Sequence, residues 1–360
     1  MINDKRIKTL MASIFCLVCV VIIVLCINIG KEKENSGNDS EGINVTEEAP
    51  VVEETETETE VVTSEGFVLD QDGMFDVGDT KFLYGYEADI DDDTAKISKK
   101  DTDITSKYVV LIDASTNKVI AGKNSKKRIS PASMTKILTV LVAAEQIEKN
   151  ENLSLDDKFK ITVDITDYAY VNDCSTVGFK KNEVVPVKDL FYGTILPSGG
   201  EAAVALATYV AGSQEEFVKL MNDKLEELGL ADTAHFTNCV GLYDEDHYCS
   251  VYDMAMILKA AVQNDFARDV LSTHVYTTTK NKKHKKGITI SNLFLRRIED
   301  YETNGTVLCA KTGFVNQSGS CAASYQISDS GVPYICVTGN TYSSWRCIYD
   351  HIAVYSQYTK

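Results

Sequence analysis

The stretch Ile129-Ser130-Pro131-Ala132-Ser133-Met134-Thr135-Lys136 decides how the rest of the chain is read. Ser130 suits a helix N-cap and Pro131 the first helical position. Ile137, Leu138 and Leu141 then recur at helical spacing, which predicts a helix to about Lys149. Ser133 and Lys136 are three residues apart, so they share a face, a hydroxyl beside an amine. A serine hydroxyl is a poor nucleophile until a base takes its proton. Lys136 can be that base only when neutral, which requires desolvation or a neighbouring cation. Near the helix start the Ser133 N–H is one of the unpaired donors, and the positive helix end favours a developing oxyanion. The same S-x-x-K string recurs at Ser115–Lys118, inside a predicted turn where the two side chains need not meet.

Working outward, Tyr108–Asp113 and Lys118–Ala121 flank Ala-Ser-Thr-Asn, the signature of a hairpin. Further helices are predicted at Glu201–Ala211, Glu215–Leu228, Val251–Val262 and Ser344–Tyr358. Strands are predicted at Gly287–Leu295, Thr306–Phe314, Ser320–Ile327 and Pro333–Gly339. Two strands, a helical middle, late strands and a closing helix indicate one α+β domain. The first hairpin would join the late strands in a single antiparallel sheet.

Two more strings carry chemistry. Lys311-Thr312-Gly313 lies on a predicted strand, where Lys311 and Thr312 offer a charge and a hydroxyl to a carboxylate. Gly313 leaves the edge open, and the Phe314 N–H would be a second oxyanion donor. Pro197-Ser198-Gly199-Gly200 turns into the helix at Glu201. Read alone, Ser198 favours capping that helix over shuttling a proton to a leaving amine.

Together and in this order the strings resemble the serine penicillin-binding proteins and β-lactamases. The nearer match is the low-molecular-weight D-alanyl-D-alanine carboxypeptidases. Ile129–Lys136 looks like their nucleophile segment. Thr237-Asn238-Cys239-Val240-Gly241-Leu242, with His247-Tyr248-Cys249-Ser250 and Tyr252-Asp253-Met254, is similar to their N-x-x-G-L…H-x-[ST] block.

The resemblance implies an α+β fold over roughly residues 81–360, a helical cluster packed on a five-stranded antiparallel sheet with the serine between them. It implies acyl transfer through a serine ester, D-alanine leaving from peptidoglycan stem peptides, and β-lactams as inhibitors. Carried over, Ser133 is the nucleophile, Lys136 its base and Ser198 part of the proton relay. Lys311 and Thr312 bind the terminal carboxylate, and the Ser133 and Phe314 N–H groups form the oxyanion hole beside Gly313.

The chain departs from that pattern at Gly200, where the family usually has Asn, and at Val315, where a hydroxyl residue often follows. It also ends after its last predicted helix, and the apolar run expected to anchor it, Met11–Ile29, is N-terminal rather than C-terminal. A catalytically weak wall-binding or sensor protein is the competing reading that Gly200 and Val315 favour. A β-lactamase would need a carboxylate to activate water, and the E-x-x-L-N-like segment that would carry one is missing between Ser198 and Lys311. Slow release of penicillin is expected.

The charge distribution fits this reading. The 360 residues carry 36 Lys plus Arg and 53 Asp plus Glu, a net charge of −17. Residues 31–103 hold 23 of the acids against 6 bases, whereas residues 104–360 hold 29 against 27. No sustained basic face for nucleic acid is expected. Met11–Ile29 is a charge-free run of 19 residues, long enough at about 1.5 Å per residue to cross a bilayer core. Lys5, Arg6 and Lys8 precede it, which keeps residues 1–10 in the cytoplasm and places everything after the span outside. No A-x-A-like cleavage site follows. Residues 30–80 are acidic and Thr-rich, a disordered tether.

His235, Cys239, His247 and Cys249 are metal-ligand types, but they lie inside the block just quoted, where His247 braces a loop. Neither metal nor cofactor is expected. Ser250–Asp253 has the capping-box pattern. The basic run Lys280–Lys286 reads as a solvated loop or a contact for anionic wall polymer. Seven cysteines follow the apolar span, an odd number that leaves at least one unpaired within a monomer.

Overall fold

Residues 94–359 are described in a computed structural model, together with the backbone of the short paired strands Val61–Val62 and Val68–Leu69. The expected anchor at 11–29 and the domain start at 81 lie outside the described residues, as does most of the 30–80 tether. Among the described residues no helix is long and apolar enough to cross a membrane.

The main sheet is built from β1 (Ala95–Lys96), β2 (Tyr108–Asp113), β3 (Val119–Lys123), β4 (Gly305–Val315), β5 (Gly319–Ser328) and β6 (Pro333–Thr341), in the order β4-β5-β6-β2-β3-β1. The first hairpin does join the late strands, through β6 paired antiparallel with β2. The five-stranded antiparallel expectation is corrected to a six-stranded mixed sheet, because β1 pairs parallel with β3. A two-residue strand is too short to leave a period-2 signal in sequence.

Apolar residues alternate between the two faces of this sheet. Val110, Ile112, Ile335 and Val337 enter the large core with the helices, while Val109, Leu111 and Cys336 meet Val354 and Tyr355 on the other side. That two-sided burial is why β2 reads as an unbroken apolar run.

The helices are α1 (Lys136–Lys149), α2 (Val163–Val171), α3 (Val187–Ile195), α4 (Gly200–Ala211), α5 (Gln214–Glu227), α6 (Val251–Gln263), α7 (Asp265–Ser272) and α8 (Ser344–Tyr358). Four of the predicted helices stand within a residue or so of their expected bounds, and Ser250 and Asp253 form the reciprocal capping box of α6. The closing helix α8 covers the face opposite the helical cluster. Buried Asp350 fixes it there, accepting from Ser106 N–H at 2.7 Å, Thr105 N–H at 3.0 Å and Arg346 Nε at 2.9 Å.

Three helices were not legible. α2 and α3 are rich in β-branched and aromatic residues, which have weak helix propensity; burial along nearly its whole length forms α3, whereas α2 buries only Ile165 and Ala169 and is started by its Thr162 cap. α7 is a short helix capped by Asn264. The predicted strand Gly287–Leu295 shrinks to Thr289–Ser291, paired with Val275–Thr277 outside the main sheet. Leu295 instead opens a helical turn seated by Asn292 Oδ1, which accepts from Phe294 and Leu295 N–H.

Candidate active site

The Ile129–Lys136 segment does not start as its sequence suggests. Ala132–Thr135 forms a 3₁₀ turn and α1 begins only at Lys136, so Ser130 and Pro131 are not the cap and first residue of α1. The reason is local: Ala132 has φ 47°, which turns the chain before it can enter a helix. The shift helps the chemistry, because residues i and i+3 eclipse in a 3₁₀ turn. Lys136 Nζ donates to Ser133 Oγ at 3.0 Å and to the Val240 carbonyl at 2.7 Å. Burial lowers the Lys136 ammonium to about 8, against the raising pull of Cys174, Cys239 and Glu201. The Ser115–Lys118 repeat makes no such pair, since Ser115 Oγ donates to Asp113 Oδ1 at 2.5 Å in the hairpin turn.

Ser198 does not cap α4. Its backbone has φ 63°, the N-cap position falls to Gly199, and Ser198 Oγ accepts from Lys311 Nζ at 2.9 Å. Lys311 also donates to the Thr312 carbonyl at 2.7 Å. Burial first, and then the nearby Lys136, holds the Lys311 ammonium well below its ordinary range. Ser133, Lys136, Ser198, Thr312, Gly313 and Phe314 line one cleft of about 520 Å³, a size ordinary for small-molecule sites. Lys311 reaches that cleft through its bond to Ser198. All seven residues singled out from sequence therefore meet in one place.

Gly313 is fixed by close approach. A β-carbon there would lie 2.9 Å from Ser133 N, 2.8 Å from Cys321 Sγ and 3.0 Å from the Pro131 carbonyl. Only glycine lets β4 run close past the Ser133 amide.

Sequence reasoning named the 237–242 block but not its role at the site. Asn238 Oδ1 accepts from the N–H groups of Val240, Gly241 and Leu242 at 3.2, 2.7 and 3.0 Å, and Nδ2 returns to the Leu242 carbonyl at 3.0 Å. This turn aims the Val240 carbonyl at Lys136. Gly241 has φ 86°, and a β-carbon on it would lie 1.8 Å from the Ala132 carbonyl oxygen. His247 braces the block as expected: its Nδ1 accepts from Thr237 N–H at 3.0 Å, so Nε2–H donates to Thr135 Oγ1 at 2.8 Å. Burial lowers its pKa to about 3, which keeps the ring neutral. Cys239 Sγ donates to Gln214 Oε1 and His235 Nδ1 meets the Asp246 carbonyl, so these side chains are aimed apart.

Cys174 also went unnoticed, because nothing in its sequence context ties it to the site. Its half-buried thiol lines the cleft beside Gly200. All seven described cysteines are unpaired.

A family model for D-alanyl-D-alanine carboxypeptidase matches residues 94–341, well over half of the chain. The chain belongs to the D-alanyl-D-alanine carboxypeptidase family. This family member is 36% identical to D-alanyl-D-alanine carboxypeptidase DacF of Bacillus subtilis over 60% of its own length and 52% of that protein's. It is 36% identical to DacC of Escherichia coli over 43% of its length and 39% of that protein's. It thus spans about half, or less, of these curated relatives. The crystal structure of the Streptomyces K15 DD-transpeptidase superposes with a TM-score of 0.63 at 27% identity, covering 72% of this chain and 99% of that one.

Proposed function

We propose that the chain is a serine D-alanyl-D-alanine carboxypeptidase that acts on peptidoglycan stem peptides through a serine acyl-enzyme. One observation carries this reading: a buried lysine whose pKa falls to about 8 donates to Ser133 Oγ at 3.0 Å. A lysine so lowered is partly neutral near pH 7 and can accept the hydroxyl proton. Ser133 Oγ then attacks the carbonyl carbon of the penultimate D-alanine. The Ser133 and Phe314 N–H groups take the charge of the oxyanion. Lys311 and Thr312 hold the terminal carboxylate, and the Lys311–Ser198 pair relays the proton that the departing amine needs. Water then cleaves the ester, with Lys136 again as base. β-Lactams, whose carboxylate and strained amide mimic the substrate's end, would acylate the same serine.

The positive-inside pattern and the 19-residue apolar run support a single N-terminal membrane anchor, with residues 30–80 as a tether and the catalytic domain outside. A non-catalytic wall-binding protein would have no use for a lowered lysine against its serine.

The test is intact-protein mass after benzylpenicillin, beside Ser133→Ala, followed by D-alanine release from a D-Ala-D-Ala peptide. A stable adduct on the wild type alone, with D-alanine released, is the expected result. No adduct with the drug intact would overturn the reading.

A further inference from the structure

The hairpin of Val275–Thr277 and Thr289–Ser291 carries at its tip Lys280-Asn281-Lys282-Lys283-His284-Lys285-Lys286, a run for which the catalytic chemistry has no use. Its five lysines are exposed, as are Lys180 and Lys181 on the loop packed against it. Among the described residues none of these seven ammonium groups has a carboxylate partner. Like charges this dense repel one another and loosen a surface loop, yet this tip is held from beneath.

Two buried carboxylates do the holding. Asp189 accepts from Tyr276 Oη at 2.7 Å and from Thr279 N–H at 2.8 Å at the base of the tip. Glu183 Oε1 accepts from Asn281 Nδ2 at 2.7 Å, and Glu183 Oε2 accepts from Lys180 N–H at 2.7 Å. One buried carboxylate thus joins two basic loops 98 residues apart in sequence. Asn281 Oδ1 closes the turn by accepting from Lys283 and His284 N–H at 2.8 and 2.9 Å. The side chains that could relax are fixed inward, and the lysines are left outside.

We propose that these two loops form a docking surface for a phosphodiester polyanion of the envelope, separate from the catalytic cleft. Compact ammonium charges suit recurring phosphate groups. The tip carries no Phe, Tyr or Trp on which a base could stack, and its His284 is held inward against Glu183, which argues against single-stranded nucleic acid. It has no Trp, Phe or Leu to enter a lipid interface, which argues against a membrane surface. Residues 104–360 hold 27 bases against 29 acids with these seven lysines included, and 20 against 29 without them, so the positive excess is local rather than general. The setting rests on the extracytoplasmic location proposed above, whereas the surface itself does not depend on the catalytic reading.

The test uses the full-length chain in neutral detergent and fluorescent polyglycerol phosphate as the probe. Saturable binding is expected, weakening at least tenfold between about 50 and 200 mM salt. The variant Lys282→Gln/Lys283→Gln/Lys285→Gln/Lys286→Gln should lose about tenfold in affinity, while Lys99→Gln/Lys100→Gln binds as wild type. Asn281→Ala keeps every lysine but frees the turn, and should also weaken binding. Benzylpenicillin acylation reports folding and should be unchanged in all three variants. Absence of binding, or equal loss in both charge variants, overturns the proposal. Capture by anionic vesicles but not by the polymer overturns the choice of partner.

Discussion

Gly200 and Cys174 divide a single space between them: a β-carbon on Gly200 would lie 2.5 Å from Cys174 Cβ and 2.9 Å from its sulfur. The thiol thus fills the position into which a side chain at residue 200 would project. Its neighbour Lys136 is close enough to feel it, since a Cys174 thiolate would raise the Lys136 pKa. Gly200 is therefore not a simple loss of the Asn usual in the family.

Introducing that Asn alone should harm the enzyme. Gly200→Asn overpacks the Cys174 wall and is expected to cost about 1–3 kcal/mol, with a lower penicillin acylation rate. Cys174→Gly/Gly200→Asn should recover much of both losses. Thermal unfolding and acylation kinetics of the two single variants and the double variant check this, and simple additivity would show that the contact is unimportant.

The pH dependence follows from Lys136. A base works when deprotonated, and its pKa is lowered to about 8. The acylation rate should therefore rise from pH 6 to about 8 and then level off. An ordinary lysine would keep rising toward pH 10. Stopped-flow acylation across this range distinguishes the two, and Lys136→Arg, whose side chain stays protonated, should be inactive.

Gly313→Ala places a methyl 2.9 Å from Ser133 N and 3.0 Å from the Pro131 carbonyl. The strand must retreat, and the proposed oxyanion site opens. A fall in acylation rate of at least 100-fold is expected, about the loss seen on removing one oxyanion donor. Circular dichroism should show the fold retained.

Asn238→Ala leaves three backbone N–H groups of the 240–242 turn without their acceptor. A stability loss of about 2–3 kcal/mol is expected. The more telling readout is the pH profile. Loss of the Val240 carbonyl by itself would lower the lysine further, but water entering beside the loosened turn relieves the burial that lowers it, and the midpoint should move up from about 8. An unchanged midpoint would mean that this turn does not position the base.

Asp350→Ala removes the buried acceptor shared by Ser106, Thr105 and Arg346. A loss of about 3 kcal/mol is expected, with acylation at low temperature preserved because Asp350 itself does not line the cleft, although Ser344 and Cys347 of the same helix do. Denaturant unfolding measures the first and penicillin labelling the second.

Much of the site could be read from residues alone because its chemistry uses few residue types in fixed order. A hydroxyl three residues before an amine and K-T-G-F on a strand supplied six of the seven candidates, and the family resemblance added Ser198 from P-S-G-G. The 237–242 block was visible as a pattern, and His247 was rightly given a bracing role. What the one-dimensional pattern misjudged was local backbone. Ser130-Pro131 has the composition of a helix start, but Ala132 at φ 47° sends the chain into a 3₁₀ turn first. Ser198 has the composition of a cap, but Lys311, 113 residues away, takes its hydroxyl.

By itself the sequence determined the fold class, the pairing of a hydroxyl with an amine at Ser133 and Lys136, and the joining of the first hairpin to the late strands. These follow from hydrophobic period and from residue types that few other chemistries use. Tertiary structure alone decided that Lys136 is dry enough to be lowered to about 8, that Val240 presents it with a carbonyl, and that Cys174 occupies the space beside Gly200. Each of these depends on segments tens of residues apart meeting within a few ångströms, and burial and steric exclusion exist only once they do.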